Sequence, residues 1–168
     1  MRIVRMKRST LIFTTTALLL VALAAAPAQA RWGVGDVNTW VAANGRTAGK
    51  YVVGAYPVPT LSVHIADGSS AGVSWVVKNL GGEPSVHSIG FHGCSTGEGF
   101  GFRYFAPDGQ EVTWKVTHNG YGVADVPRGT RVMLKIVVSA HRSGVSRTCT
   151  LKGTGLNGVD YVHLTVAS

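Results

Sequence analysis

The stretch Phe100-Gly101-Phe102-Arg103-Tyr104-Phe105-Ala106-Pro107-Asp108-Gly109 decides how the chain reads. Phe100, Phe102 and Tyr104 fall on one side of an extended backbone, with Gly101, Arg103 and Phe105 on the other. That is the period of two imposed by a strand. Pro107-Asp108-Gly109 then reverses the chain, because proline presets one backbone angle and glycine accepts the positive one. The same rhythm fills residues 85–166, punctuated by Asn119-Gly120, Pro127-Arg128-Gly129 and Asn157-Gly158. In residues 131–139, Val132, Leu134, Ile136 and Val138 point one way, and Arg131, Lys135 and Ser139 point the other. Residues 147–152 and 123–126 form shorter runs, and residues 159–166 turn Val162, Leu164 and Val166 inward.

The pattern extends upstream. Residues 60–66 alternate, Asp67-Gly68-Ser69-Ser70 makes a turn, and residues 71–79 place Val73, Trp75 and Val77 on one face. Ile89 and Phe91 sit two apart in the next run. Residues 111–117 read as a further strand, with Val112, Trp114 and Val116 together and Trp114 in the core. Many short strands separated by turns predict an all-β antiparallel sandwich. Nothing after residue 30 repeats at helical spacing, and 22 glycines weigh against a helix-rich fold.

The first thirty residues are not read as fold. Arg2, Arg5, Lys7 and Arg8 precede an uncharged apolar run over residues 11–26, and Pro27-Ala28-Gln29-Ala30 supplies the small residues a signal peptidase reads. This predicts a secretory signal peptide over residues 1–30. The apolar run is shorter than the ~20 residues of a membrane span, so a released, extracellular product without stable membrane insertion is expected. Removing the signal takes away four basic residues and no acidic one, so the net charge falls from +8 to +4. A mildly basic surface favours anionic polymers, although a solvated surface without a partner has the same composition. The basic residues are scattered along the sequence, which gives no support to nucleic-acid binding.

Cys94 and Cys149 are the only cysteines, and an even count in an exported chain predicts a disulfide. Residues 31–59 differ in character from residues 60–168. They hold Gly33, Gly35, Gly45, Gly49 and Gly54, two tryptophans and Tyr56-Pro57-Val58-Pro59. They read as an extended N-terminal arm with strand character near residues 51–55, leaving residues 60–168 as the sandwich.

The segments Phe100–Phe105, Val112-Thr113-Trp114-Lys115-Val116, Gly120-Tyr121, Val126-Pro127-Arg128-Gly129 and residues 132–138 also carry a resemblance. With Val76-Val77-Lys78-Asn79-Leu80-Gly81-Gly82 and Gly35-Asp36-Val37-Asn38, they resemble the immunoglobulin-like sandwich modules of exported actinobacterial and other bacterial surface proteins. The resemblance covers most of the chain after residue 30, but it lies in turn and core positions. It implies an immunoglobulin-like β-sandwich that acts as a spacer, an adhesion unit or an accessory to secreted enzymes, and that is not itself catalytic.

Chemistry-bearing motifs are few. Gly93-Cys94-Ser95-Thr96-Gly97 has the spacing of a hydrolase nucleophile elbow. That motif needs a strand-to-helix turn, and no helical pattern comes after it. His64, His87, His92, His118, His141 and His163 lack the close pairing of a metal site and read mostly as solvent-facing strand positions. Asp67 and Asp108 are explained by turn chemistry, and no carboxylates pair at spacing that marks acid–base catalysis. No metal or cofactor is therefore expected. Trp32, Trp40, Tyr51 and Tyr56 lie outside the strand rhythm, and with Tyr121 they are the candidate binding residues. Flat aromatic faces bury area at low entropy cost. The competing role for those in the arm is to pin it to the sandwich.

The chain is expected to be a non-catalytic secreted interaction module, binding cell-wall polymer or another extracellular protein. A protease inhibitor acting through the loop of residues 93–99 or 139–146 is the first alternative, and a secreted hydrolase the second. A purely structural subunit is the third.

Overall fold

The computed structural model describes residues 36–50, 52–81 and 86–168. Among the described residues ten strands and one short helix succeed one another: β1 (Val37–Ala43), β2 (Arg46–Ala48), β3 (Thr60–His64), β4 (Ser70–Asn79), β5 (Val86–His92), β6 (Phe100–Phe105), α1 (Thr113–His118), β7 (Tyr121–Pro127), β8 (Arg131–Ala140), β9 (Ser146–Thr154) and β10 (Val159–Ala167). They make two five-stranded sheets, sheet A in the order β2-β1-β4-β8-β6 and sheet B in the order β3-β10-β9-β5-β7. Every pairing is antiparallel except β3 with β10.

The alternation in the sequence is what builds the core. Phe100, Phe102 and Tyr104 of β6, Val73, Trp75 and Val77 of β4, Leu134, Ile136 and Val138 of β8, and Val162, Leu164 and Val166 of β10 are all buried between the sheets. Trp75 sits at the centre, edge-on to Phe91 at 5.0 Å and to Tyr104 at 6.2 Å. Its indole N–H donates to the Thr39 hydroxyl at 2.9 Å, which satisfies the one polar group it buries. Cys94 and Cys149 are bridged, as the sequence predicts.

Two expectations are corrected. Residues 37–48 belong to no separate arm: β1 and β2 are strands of sheet A, and β1 pairs with β4 from Val37↔Asn79 to Ala42↔Ser74. Most of β1 is buried on both faces, so its sequence lacks the apolar–polar alternation that marks a half-solvated strand. No strand forms over residues 52–55. The second correction is that residues 113–118 form helix α1 where a strand is expected. Val112 and Val116 are four apart, a spacing that shares a face in a strand and in a helix alike. Both are buried, while Trp114 between them turns outward and is 62% exposed.

Candidate functional site

The side chains of sheet A that point away from the core form the site. Cross-strand registers set them in rows: Asn38–Lys78–Arg131, then Trp40–Val76–Met133, then Ala42–Ser74–Lys135–Phe105. Arg103 comes next, beside Val137. The outward strand positions therefore carry Lys78, Arg103, Arg131 and Lys135 and no acidic residue. Arg103 is tied to Glu111 at 2.6 Å and lies over the Phe105 ring at 5.1 Å. That hydrogen bond holds the Glu111 carboxyl below its ordinary value. Among the described residues Lys78, Arg131 and Lys135 form no salt bridge; Lys78 is half-buried and the other two are exposed.

A cleft of about 490 Å³ opens over this face at its β1 end, lined by Trp40, Lys50, Lys78, Leu80 and Arg131 among others. A second depression of about 440 Å³ lies between Phe105, Pro107, Met133 and Lys135. Met133, which is 51% exposed, sits in the row next to Lys135.

A buried carboxylate positions one wall of the cleft. Asp160 of β10 reaches across from sheet B. Its Oδ2 accepts from the Thr39 amide at 2.7 Å and from Asn38 Nδ2, and its Oδ1 accepts from the Gly54 amide at 3.0 Å. Asn38 Nδ2 also donates to the Gly49 carbonyl at 3.1 Å. Gly49 is thereby fastened to β1 and Gly54 to Asp160 of β10, which places Lys50 and Val53 at the cleft. Glycine is required at position 49: its φ is +90°, and a Cβ would lie 2.7 Å from the Thr39 carbonyl oxygen. Burial pushes the Asp160 carboxyl above its ordinary value, and the surrounding N–H donors oppose that shift.

The aromatic candidates do not assemble into one patch. Trp40 lines the cleft but is only 6% exposed, so its ring acts as a floor with little open face. Tyr56 is 63% exposed, beside a separate apolar depression of about 220 Å³ shared with Val58 and Tyr161. Tyr121 is half-buried on β7, its ring 6.4 Å from that of Phe91. Trp32 and Tyr51 lie outside the described residues, as does the signal segment. Trp114, expected in the core, is instead a surface ring stacked on His118 at 5.1 Å. The cations of sheet A are the residues that reading for aromatics passes over. The signal for them was present, since Arg131 and Lys135 alternate with the core residues of β8.

The other motifs are occupied structurally. Arg147 donates to the carbonyls of Ser95 and Gly97, and the Thr96 hydroxyl accepts the Phe102 amide, so these groups of loop 93–99 are held by the fold. The chain leaves that loop into strand β6, where a nucleophile elbow needs a helix. The Tyr104 hydroxyl accepts from the Cys94 amide and donates to the Cys94 carbonyl, and burial drives its pKa far above that of a free phenol. His87 is not solvent-facing: it is buried, with Nε2 3.3 Å from Asp36 Oδ2. Burial, then Lys152, lowers the His92 pKa. Among the described residues no three His, Cys, Asp or Glu side chains are grouped to hold a metal ion. None of their helices is long and apolar enough to cross a membrane.

Fold and site together define a two-sheet β-sandwich with one disulfide and one cationic sheet face. No family model matches the sequence, and no curated protein is similar to it. Among solved structures, the VesB protease of Vibrio cholerae is similar at 12% identity and a TM-score of 0.38, over 65% of this chain and 30% of that one. A family 123 glycoside hydrolase from Clostridium perfringens is similar at 7% identity and a TM-score of 0.38, over 64% of this chain and 22% of that one. The chain thus spans less than a third of either protein, at a likeness too low to carry an argument about activity.

Proposed function

We propose that this protein is a secreted, non-catalytic interaction module of immunoglobulin-like build that presents the outer face of sheet A to cell-wall polymer. The observation that carries this reading is the row structure of that face. Lys78 and Arg131 line an open cleft and Lys135 a second depression further along β8, with no acidic residue at the outward strand positions. The immunoglobulin-like build is supported by strand order: β1-β4-β8-β6 opposite β10-β9-β5-β7 parallels A-B-E-D opposite G-F-C-C′. The chain departs from that scheme in two respects: β6, at the D position, precedes β7, at the C′ position, and the edge strands β2 and β3 are added outside β1 and β10. Secretion is supported by the basic and apolar leader in residues 1–30, and the Cys94–Cys149 bridge is compatible with an extracellular protein.

Retention on purified cell wall tests the reading. The oxidised protein is mixed with wall at moderate salt and the bound fraction measured, beside a Lys78→Glu, Arg131→Glu, Lys135→Glu variant. The expected outcome is retention of the wild type and release of the variant. Absence of wild-type retention removes wall polymer as the ligand, and equal retention of both removes this face as the site.

A further inference from the structure

Taking the outer face of sheet A as the ligand side, on which this inference rests, we propose that its ligand is a linear polymer bearing repeated phosphate groups. The charge is one-sided. The outward positions of β1, β4, β8 and β6 hold four cations and no acid, whereas on sheet B Thr148, Thr150 and Lys152 of β9 face Thr165, His163 and Tyr161 of β10.

The chemistry of the face excludes weaker-charged partners. A neutral glycan needs an open ring to stack on and free amide or carboxylate partners for its hydroxyls. Trp40 is 6% exposed, and the Asn38 amide is spent on Gly49 and Asp160. A protein interface centres on exposed aromatic anchors and is depleted of lysine. Here the exposed apolar contribution beside the cations is Met133, and two of the three cations outside the Arg103–Glu111 pair are lysines. Attraction must therefore come chiefly from charge.

Spacing then selects a polymer. Lys78 and Arg131 are register partners on adjacent strands, about 5 Å apart, and Lys50 lines the same cleft. Lys78 and Arg131, on the rim of one cleft, form a cationic centre that a single anionic group can bridge. A phosphate group offers them several strong acceptor oxygens, matching a forked guanidinium and a point-charge ammonium at once. Lys135 lies four residues further along β8, about 13 Å away, beside the second depression. One small anion cannot reach both centres, whereas a chain laid along the open face past Met133 can.

Titration calorimetry with sodium polyphosphate tests this, with matched lengths of polygalacturonate as a carboxylate polymer and dextran as a neutral one. Polyphosphate should bind at least tenfold tighter than polygalacturonate, and dextran should not bind. Between 50 and 200 mM salt the affinity should fall about 20- to 40-fold, as expected for about three released counterions. The Lys78→Glu, Arg131→Glu, Lys135→Glu variant should lose at least tenfold, and Lys152→Glu on the opposite sheet should bind as wild type. Amide shifts on adding polyphosphate to the wild-type protein provide a readout independent of any variant's folding, and they should map to β4 and β8. Equal affinity for the two charged polymers, or shifts confined to sheet B, overturns the inference. Face-dependent retention on wall without polyphosphate binding sinks the phosphate assignment alone and leaves the interaction-module reading standing. Indifference of both assays to the triple variant sinks both.

Discussion

At the scale of single residues, Asp160 does the most with one side chain. It is buried on a strand of sheet B, yet its partners are the backbone of β1, the Asn38 amide and the Gly54 amide. An amide in its place retains one acceptor and turns an NH₂ group toward an N–H donor. Asp160→Asn should therefore cost about 1–3 kcal/mol of stability in urea unfolding at neutral pH, the range for a buried group left unsatisfied. Titration adds a sign. Burial raises the folded-state pKa of Asp160, so the folded chain binds this proton more tightly than the unfolded chain. The stability tied to that proton is complete below the ordinary carboxylate pKa and is lost as pH rises through the folded-state value. The stability advantage of wild type over Asp160→Asn should accordingly shrink as unfolding is measured upward from about pH 3 through the raised pKa. An advantage that widens over this window would mean that the N–H donors outweigh burial.

Individual elements show where local sequence specifies structure and where it does not. Strand β6 spans the residues its alternation marks, and β4, β8, β9 and β10 agree within a residue or two, because each has one face in the core and one toward solvent. Strand β1 lacks that contrast and reads as an arm, while α1 reads as a strand because its two buried valines satisfy either period. The tryptophans separate the two outcomes experimentally. Trp114→Ala on the exposed side of α1 should change stability by no more than about 0.5 kcal/mol. Trp75→Ala in β4 should cost about 3–5 kcal/mol by chemical denaturation, since it opens a cavity and frees the Thr39 hydroxyl. Equal costs at the two positions would contradict the helical assignment. The candidate site was partly legible for the same reason as the strands: Arg131 and Lys135 alternate out of the core of β8. Lys78 joins them through the β4–β8 register at Lys78↔Arg131, and Trp40 only through β1 beside β4, a pairing across 36 residues at Trp40↔Val76 that no local pattern announces. The free edge of β6 is also closed locally. The Thr96 and Thr113 hydroxyls accept the Phe102 and Tyr104 amides, which leaves little backbone for a foreign strand.

For the whole molecule, the question is what holds sheet B together, since its strands are unequally joined. β10 and β9 pair over nine residues, but β9 and β5 share only Gly90↔Thr154, Phe91↔Gly153 and His92↔Lys152. The Cys94–Cys149 bridge lies just beyond the last of these pairs and continues the junction after the ladder stops. It therefore ties the β5–β7 half of the sheet to the β9–β10–β3 half, at the seam where hydrogen bonding is thinnest. The two cysteines are 55 residues apart, and a loop of that length corresponds to about 4 kcal/mol in the chain-entropy estimate. Against a typical domain stability of about 5–15 kcal/mol, that is a large share. The Cys94→Ser, Cys149→Ser double variant should lose close to this amount in denaturant unfolding. Its location makes a sharper claim than its size. Amide exchange in the variant should accelerate first in β5 and β7, while β9 and β10, joined by their long ladder, keep more of their protection. Uniform acceleration across both sheets would mean that the bridge acts only on the unfolded chain and holds no seam. Because sheet A carries the cationic face and the bridge lies in sheet B, polymer binding by the variant should persist wherever the fold does.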